Sequence, residues 1–61
     1  MINLKELRLK KGLTQQQLSE KIKISVKTIS DIENNKRIPN DLNKNKIMNF
    51  FKISKNELFS K

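Results

Sequence analysis

Cysteine and histidine are both missing from this chain of 61 residues. Without cysteine there is no disulfide framework and no thiolate metal site, and without histidine the usual general base and the commonest metal ligand are gone. A single glycine, Gly12, leaves no loop able to cradle a phosphate. Tyrosine and tryptophan are absent and only three phenylalanines are available for base stacking, which makes RNA binding a third and weaker reading. No apolar run approaches the length that spans a bilayer, and no signal-type apolar stretch follows the N-terminus. This inventory excludes most enzyme chemistry and asks for no cofactor and no metal. The expectation is a non-enzymatic protein of the cytoplasm that makes no membrane contact.

Positive charge, by contrast, is abundant. Fourteen Lys and Arg stand against six Asp and Glu, a net +8 at pH 7. Such an excess suits a polyanionic partner, although a composition heavy in Lys, Ile and Asn also follows from an AT-rich genome. A membrane surface would call for one sustained basic amphipathic helix backed by aromatics. The lysines here are dispersed, which favours nucleic acid. At this length residues 1–61 are expected to form a single domain, near the lower size limit for unaided folding.

One local grammar recurs along the chain: an apolar residue, an N-cap, a back-bonding side chain three residues later, then another apolar residue. Ile2-Asn3-x-x-Glu6-Leu7, Leu13-Thr14-x-x-Gln17-Leu18 and Ile53-Ser54-x-x-Glu57-Leu58 follow it in full. Each pairs a capping box with a hydrophobic staple. Ile24-Ser25-x-x-Thr28-Ile29 keeps the cap and the staple without the Glu or Gln. The pattern predicts an all-α chain. A first helix runs from Leu4 to Lys11, stopped by Gly12. A second spans Gln15 to Ile22 and a third Val26 to Asn34. Asn35 and Pro39 mark the following loop. Asn40 caps a fourth helix, with Asp41 beside its N-terminal dipole, and a short fifth covers Lys55 to Ser60. The expected core is Leu4, Leu7, Leu18, Ile22, Ile24, Ile29, Ile32, Ile47, Phe51, Ile53 and Leu58.

The second and third helices carry the functional expectation. Leu18 and Ile22 share a face at a spacing of four, Ile29 and Ile32 at a spacing of three, and the turn between the helices is tight. Two short helices so joined must cross steeply, as in a helix-turn-helix.

The residues Leu13-Thr14-Gln15-x-x-Leu18, Ile24-Ser25-x-x-x-Ile29-Ser30-x-x-Glu33-Asn34 and Pro39 closely resemble the Cro/repressor-type (lambda-repressor-like, xenobiotic-response-element type) helix-turn-helix family. The similarity covers about residues 2 to 59. It implies a compact five-helix bundle that binds double-stranded operator DNA as a homodimer and regulates transcription, in a bacterial or phage setting, associated with the nucleoid. It also implies that Gln15, Ser25 and Asn34 touch phosphates, with Lys36 and Arg37 in a loop along the DNA backbone. A helix N-terminus such as that at Gln15 favours an anion independently of any resemblance. Val26, Lys27, Ser30 and Asp31 occupy the face of the third helix opposite Ile29 and Ile32. The resemblance implies that Val26, Lys27 and Asp31 meet base edges. Lys27 can donate to guanine, Val26 can pack on a thymine methyl, and Asp31 either accepts from cytosine or keeps phosphates away. Arg8 and Glu33 have family counterparts that form a partly buried salt bridge. A glutamate at a helix C-terminus needs such a partner.

Three positions depart from the family pattern. Lys23 stands in the turn where glycine is usual, at a cost of roughly 1 kcal/mol if left-handed. Ser19 replaces the common alanine inside the second helix. In the fourth helix Asp41 and Lys44 stand where leucines are usual, so either that helix is rotated or it exposes Met48 and Phe50. Exposed aromatics there would suit a dimer contact, whereas a loosely packed small core would explain them equally well. The alternative function is a protein-interaction module, an antitoxin or an antagonist of another regulator, with Leu9, Met48, Phe50 and Phe59 as its working surface and a possible partner met through the fourth and fifth helices.

Overall fold

In the computed structural model, residues 3–59 are described. They form α1 (Leu4–Lys10), α2 (Gln15–Ile22), α3 (Val26–Glu33), α4 (Asp41–Phe51) and α5 (Lys55–Phe59), with no strand among the described residues. These boundaries shorten two expectations by one residue, because Lys11 and Asn34 are C-caps rather than helical residues. Ser60, the expected end of the fifth helix, lies outside the described residues.

Four left-handed residues separate the helices: Gly12, Lys23, Asn35 and Lys52 follow α1, α2, α3 and α4 in turn, with φ between 55° and 69°. After α1 the Leu13 N–H donates to the Arg8 carbonyl and the Gly12 N–H to the Leu9 carbonyl. After α3 the Lys36 N–H donates to the Asp31 carbonyl and the Asn35 N–H to the Ile32 carbonyl. Both ends are the double-bonded stop that satisfies orphan helix carbonyls and turns the chain sharply. Glycine and asparagine adopt this conformation at little cost, whereas lysine does not. Lys23 therefore carries the strain expected of it, and Lys52 is a second such position. Lys46 of α4 also reaches back, its Nζ donating to the Lys23 carbonyl at 3.2 Å.

The helix starts follow the cap grammar with one exception. Thr14 and Gln17 form a reciprocal capping box, as do Ser54 and Glu57. Ser25 Oγ accepts from the Thr28 N–H, and Asn40 Oδ1 from the Asn43 N–H. Asn3 does not cap α1. Its backbone N–H donates to the Leu58 carbonyl and its Nδ2 to the Glu57 carbonyl, so it stitches the start of the chain to α5. A pattern read over four residues has no access to a partner 54 positions away. Ile2, the other member of that start, lies outside the described residues.

The core is Leu4, Leu18, Ile22, Ile24, Ile29, Ile32, Ile47, Phe51 and Leu58. Leu7 and Ile53, expected inside, are half-buried against it, together with Leu13, Met48 and Phe50. α4 is not rotated. Ile47 and Phe51 point inward, and Lys44 lies on the same stripe with its side chain only 20% exposed. The Lys44 stem thus covers apolar surface while its amine meets Asp41 at 3.3 Å. Met48 and Phe50, one alternative for an exposed surface, are half-buried rather than fully displayed. The large apolar residue that α4 does expose is Leu42. Phe50 packs edge-on to Phe51, with ring centroids 5.0 Å apart. Of the remaining apolar residues proposed for a partner surface, Leu9 is exposed, and the Phe59 side chain lies outside what is described.

Candidate nucleic-acid interface

α3 is held at its C-terminus and open at its N-terminus. Glu33, in its last turn, receives Arg8 Nε at 2.7 Å on one carboxylate oxygen. The other oxygen receives Arg8 Nη2 at 3.1 Å and Gln15 Nε2 at 3.0 Å. Arg8 Nη1 donates to the Leu13 carbonyl at 2.8 Å. The two charged side chains are nearly enclosed, 9% and 3% exposed. This forked guanidinium–carboxylate geometry fixes angle as well as distance. One glutamate therefore ties α3 to α1, to the start of α2 and, through Arg8, to the turn between them. Without such donors a carboxylate at a helix C-terminus would oppose the dipole.

The other end of α3 is arranged for access. Ser25 begins it with an extended backbone, and its Oγ both accepts from the Thr28 N–H and donates to Thr28 Oγ1 at 2.9 Å. Val26 and Lys27 follow and are exposed, with Val26 at 40%. Ile29 and Ile32 sit in the core, which turns Val26, Lys27, Ser30 and Asp31 to the opposite side. Ser30 and Asp31 are half-buried, and Ser30 Oγ accepts from Asn34 Nδ2 at 3.3 Å.

The loop after α3 carries two further basic groups, one of which returns to the helix start. Lys36 is exposed beyond the stop at Asn35, and Arg37 Nη1 lies 3.3 Å from Thr28 Oγ1, over the first turn of α3. Thr28 thus links Ser25 to Arg37. Sequence reasoning gave it no role, although its place in the incomplete cap pattern was the available signal. Gln15 is half-buried and turned toward Glu33, so one of its amide hydrogens already has a partner inside the protein. Nothing in the sequence pointed to that bond or to the Lys46 tie at the turn.

The described residues hold no cluster of acidic side chains able to bind a metal. No described helix is long and apolar enough to cross a membrane. The surface that remains is a short rod with an exposed leading turn, flanked by cationic side chains and braced from behind. These features suit contact with a polyanion.

The family comparison agrees with this geometry. No curated protein matches the chain. A helix-turn-helix family model of the Cro/repressor type matches residues 4–58, from the first residue of α1 to the last core leucine. That family consists of DNA-binding transcription regulators and is not typically enzymatic. With all but a few terminal residues matched, this chain belongs to the Cro/repressor-type helix-turn-helix family.

Proposed function

We propose that this chain is a transcriptional repressor of the cytoplasm that binds a palindromic operator as a homodimer, with α3 of each copy in the major groove. One observation carries the reading. α3 is clamped by Arg8 and Gln15 at Glu33 while its first turn, with Val26 and Lys27, stands open. Lys27 donates to guanine O6 and N7, and Val26 packs on a thymine methyl. Asp31 accepts from a cytosine amino group, and Ser30 completes the reading face. Gln15, Ser25, Asn34, Lys36 and Arg37 meet the phosphate backbone. Gln15 does so with the amide hydrogen that Glu33 leaves unused.

Two such helices in a dimer read half-sites about 34 Å apart, one turn of DNA. With +8 on each chain, free copies repel one another, and the dimer assembles largely on the operator. Each copy neutralises roughly four to six phosphates, so log K falls with log salt at a slope of about −4 to −5 per copy.

Selection of bound sequences from random duplex DNA, followed by a salt titration on the selected site, tests the reading. An inverted repeat with half-site centres one helical turn apart is expected. Replacing Val26 and Lys27 together with alanine should relax the sequence preference while leaving the salt slope nearly intact. An affinity indifferent to salt, or a selection that returns no consensus, would remove the proposal.

A further inference from the structure

A second surface, lined by no residue of α3, joins basic charge to an apolar floor. Between α2, α4 and the turn after α1 lies an open cleft of about 660 Å³. Leu13 and Phe50 form its floor, and both are only half-buried, so part of each still meets water. Lys21 and Lys23 are exposed around it, and in an adjoining recess that shares Leu13, Lys21 and Phe50 the exposed Lys11 holds its Nζ 5.6 Å from the centre of the Phe50 ring. Glu20 is the one acidic side chain on its rim.

We infer that this cleft is a docking site for an acidic peptide segment of a partner protein, one that carries an aromatic or long aliphatic side chain between its carboxylates. The apolar anchor covers Leu13 and the open part of Phe50, removing from water surface that the fold leaves wet. Carboxylates flanking the anchor meet Lys11 and Lys21 as the chain passes over the rim. Lys11 is already poised over the Phe50 face, where a cation is attracted by the ring. Glu20 then accepts a peptide N–H.

The charge pattern favours this occupant over the two others that a basic cleft admits. A duplex presents a continuous line of phosphates, which Glu20 opposes and which brings no apolar group to the floor. A second copy of this chain would set lysine against lysine. The proposal does not depend on operator reading, because its residues lie on different elements from Val26, Lys27, Ser30 and Asp31.

The probe is a displayed library of random dodecapeptides, selected on the full chain. The enriched sequences are expected to place Asp and Glu around Phe, Trp or Leu. A selected peptide should shift the amide resonances of Leu13, Lys21 and Phe50 and leave those of α3 in place. Lys11→Gln with Lys21→Gln should weaken it at least tenfold, and the Val26→Ala, Lys27→Ala variant should bind it within twofold of the parent. Phe50→Leu, which keeps an apolar side chain at the floor, should retain binding better than Phe50→Ser, with folding checked by circular dichroism. Peptides without acidic enrichment, or resonance shifts on α3 instead of the cleft, would overturn the site. So would displacement of the peptide by a non-operator duplex that moves the same cleft resonances, since the cleft would then be a phosphate contact. Cleft resonances that move with protein concentration alone would overturn it in favour of a second copy.

Discussion

The first three helices and the fourth are held to the same core by different means. α1, α2 and α3 share one enclosed polar joint, in which Arg8 and Gln15 converge on Glu33. α4 contributes Ile47 and Phe51 to the core, and its polar ties lie outward. They include Lys44 to Asp41 across a single turn and Lys46 to the Lys23 carbonyl. Apolar packing is non-directional and tolerates small rotations. A forked ion pair tolerates neither rotation nor translation. The joint therefore fixes the angle of α3 to α1 and α2, whereas plain packing holds α4 against the core.

The first way to break that contrast is Arg8→Ala. It leaves the Glu33 carboxylate enclosed with one amide donor, and stability should fall by about 3–5 kcal/mol in a urea titration followed by circular dichroism. A loss below about 1 kcal/mol would show the joint to be incidental. Pairing Arg8→Met with Glu33→Leu sharpens the test, because an apolar replacement should recover most of the lost stability. If the joint sets geometry, that double variant melts near the parent and still binds operator DNA more weakly.

On the α4 side the comparable change is Ile47→Ala, which opens a cavity at a fully buried position and should cost about 2–5 kcal/mol. Operator affinity measured well below the melting point should then stay close to the parent value. A large loss of affinity there would mean that α4 also governs the angle of α3.

Smaller effects are expected at the strained turns. Lys23→Gly and Lys52→Gly should each raise stability by about 0.5–1 kcal/mol, the left-handed penalty less the added freedom of the unfolded chain. Chemical denaturation of the two single variants and their combination checks this, and the two gains should add, since the turns are separate. Asp41→Asn, at the exposed end of α4's ion pair, should change stability by less than about 1 kcal/mol.

The same contrast explains what could be read from the sequence. Thr14 with Gln17, Ser54 with Glu57 and the cap at Ser25 were legible because their partners lie three residues away. The stripes of isoleucine and leucine were legible because helical period alone decides which face is inward. Asn3 misled for the opposite reason: its cap pattern is sound locally, but α5 offers it backbone carbonyls instead. In α4 the mixed stripe of Lys44, Ile47 and Phe51 hid the register, since a lysine stem can cover a core that its amine leaves. The turn of Gln15 toward Glu33, the tie from Lys46 and the link of Thr28 to Arg37 each join elements distant in the chain. No short-range rule reaches them.

The joint at Glu33 has one more effect, on the ion atmosphere around the molecule. Arg8 and Glu33 neutralise each other out of reach of solvent, so the entire net charge of +8 belongs to the remaining residues. A bare carboxylate in that position would gather mobile cations and lower the positive potential around it. With the carboxylate silenced inside, approaching DNA meets a surface whose diffuse layer is already rich in anions. Their release, together with that of the cations on the DNA, then helps to drive association.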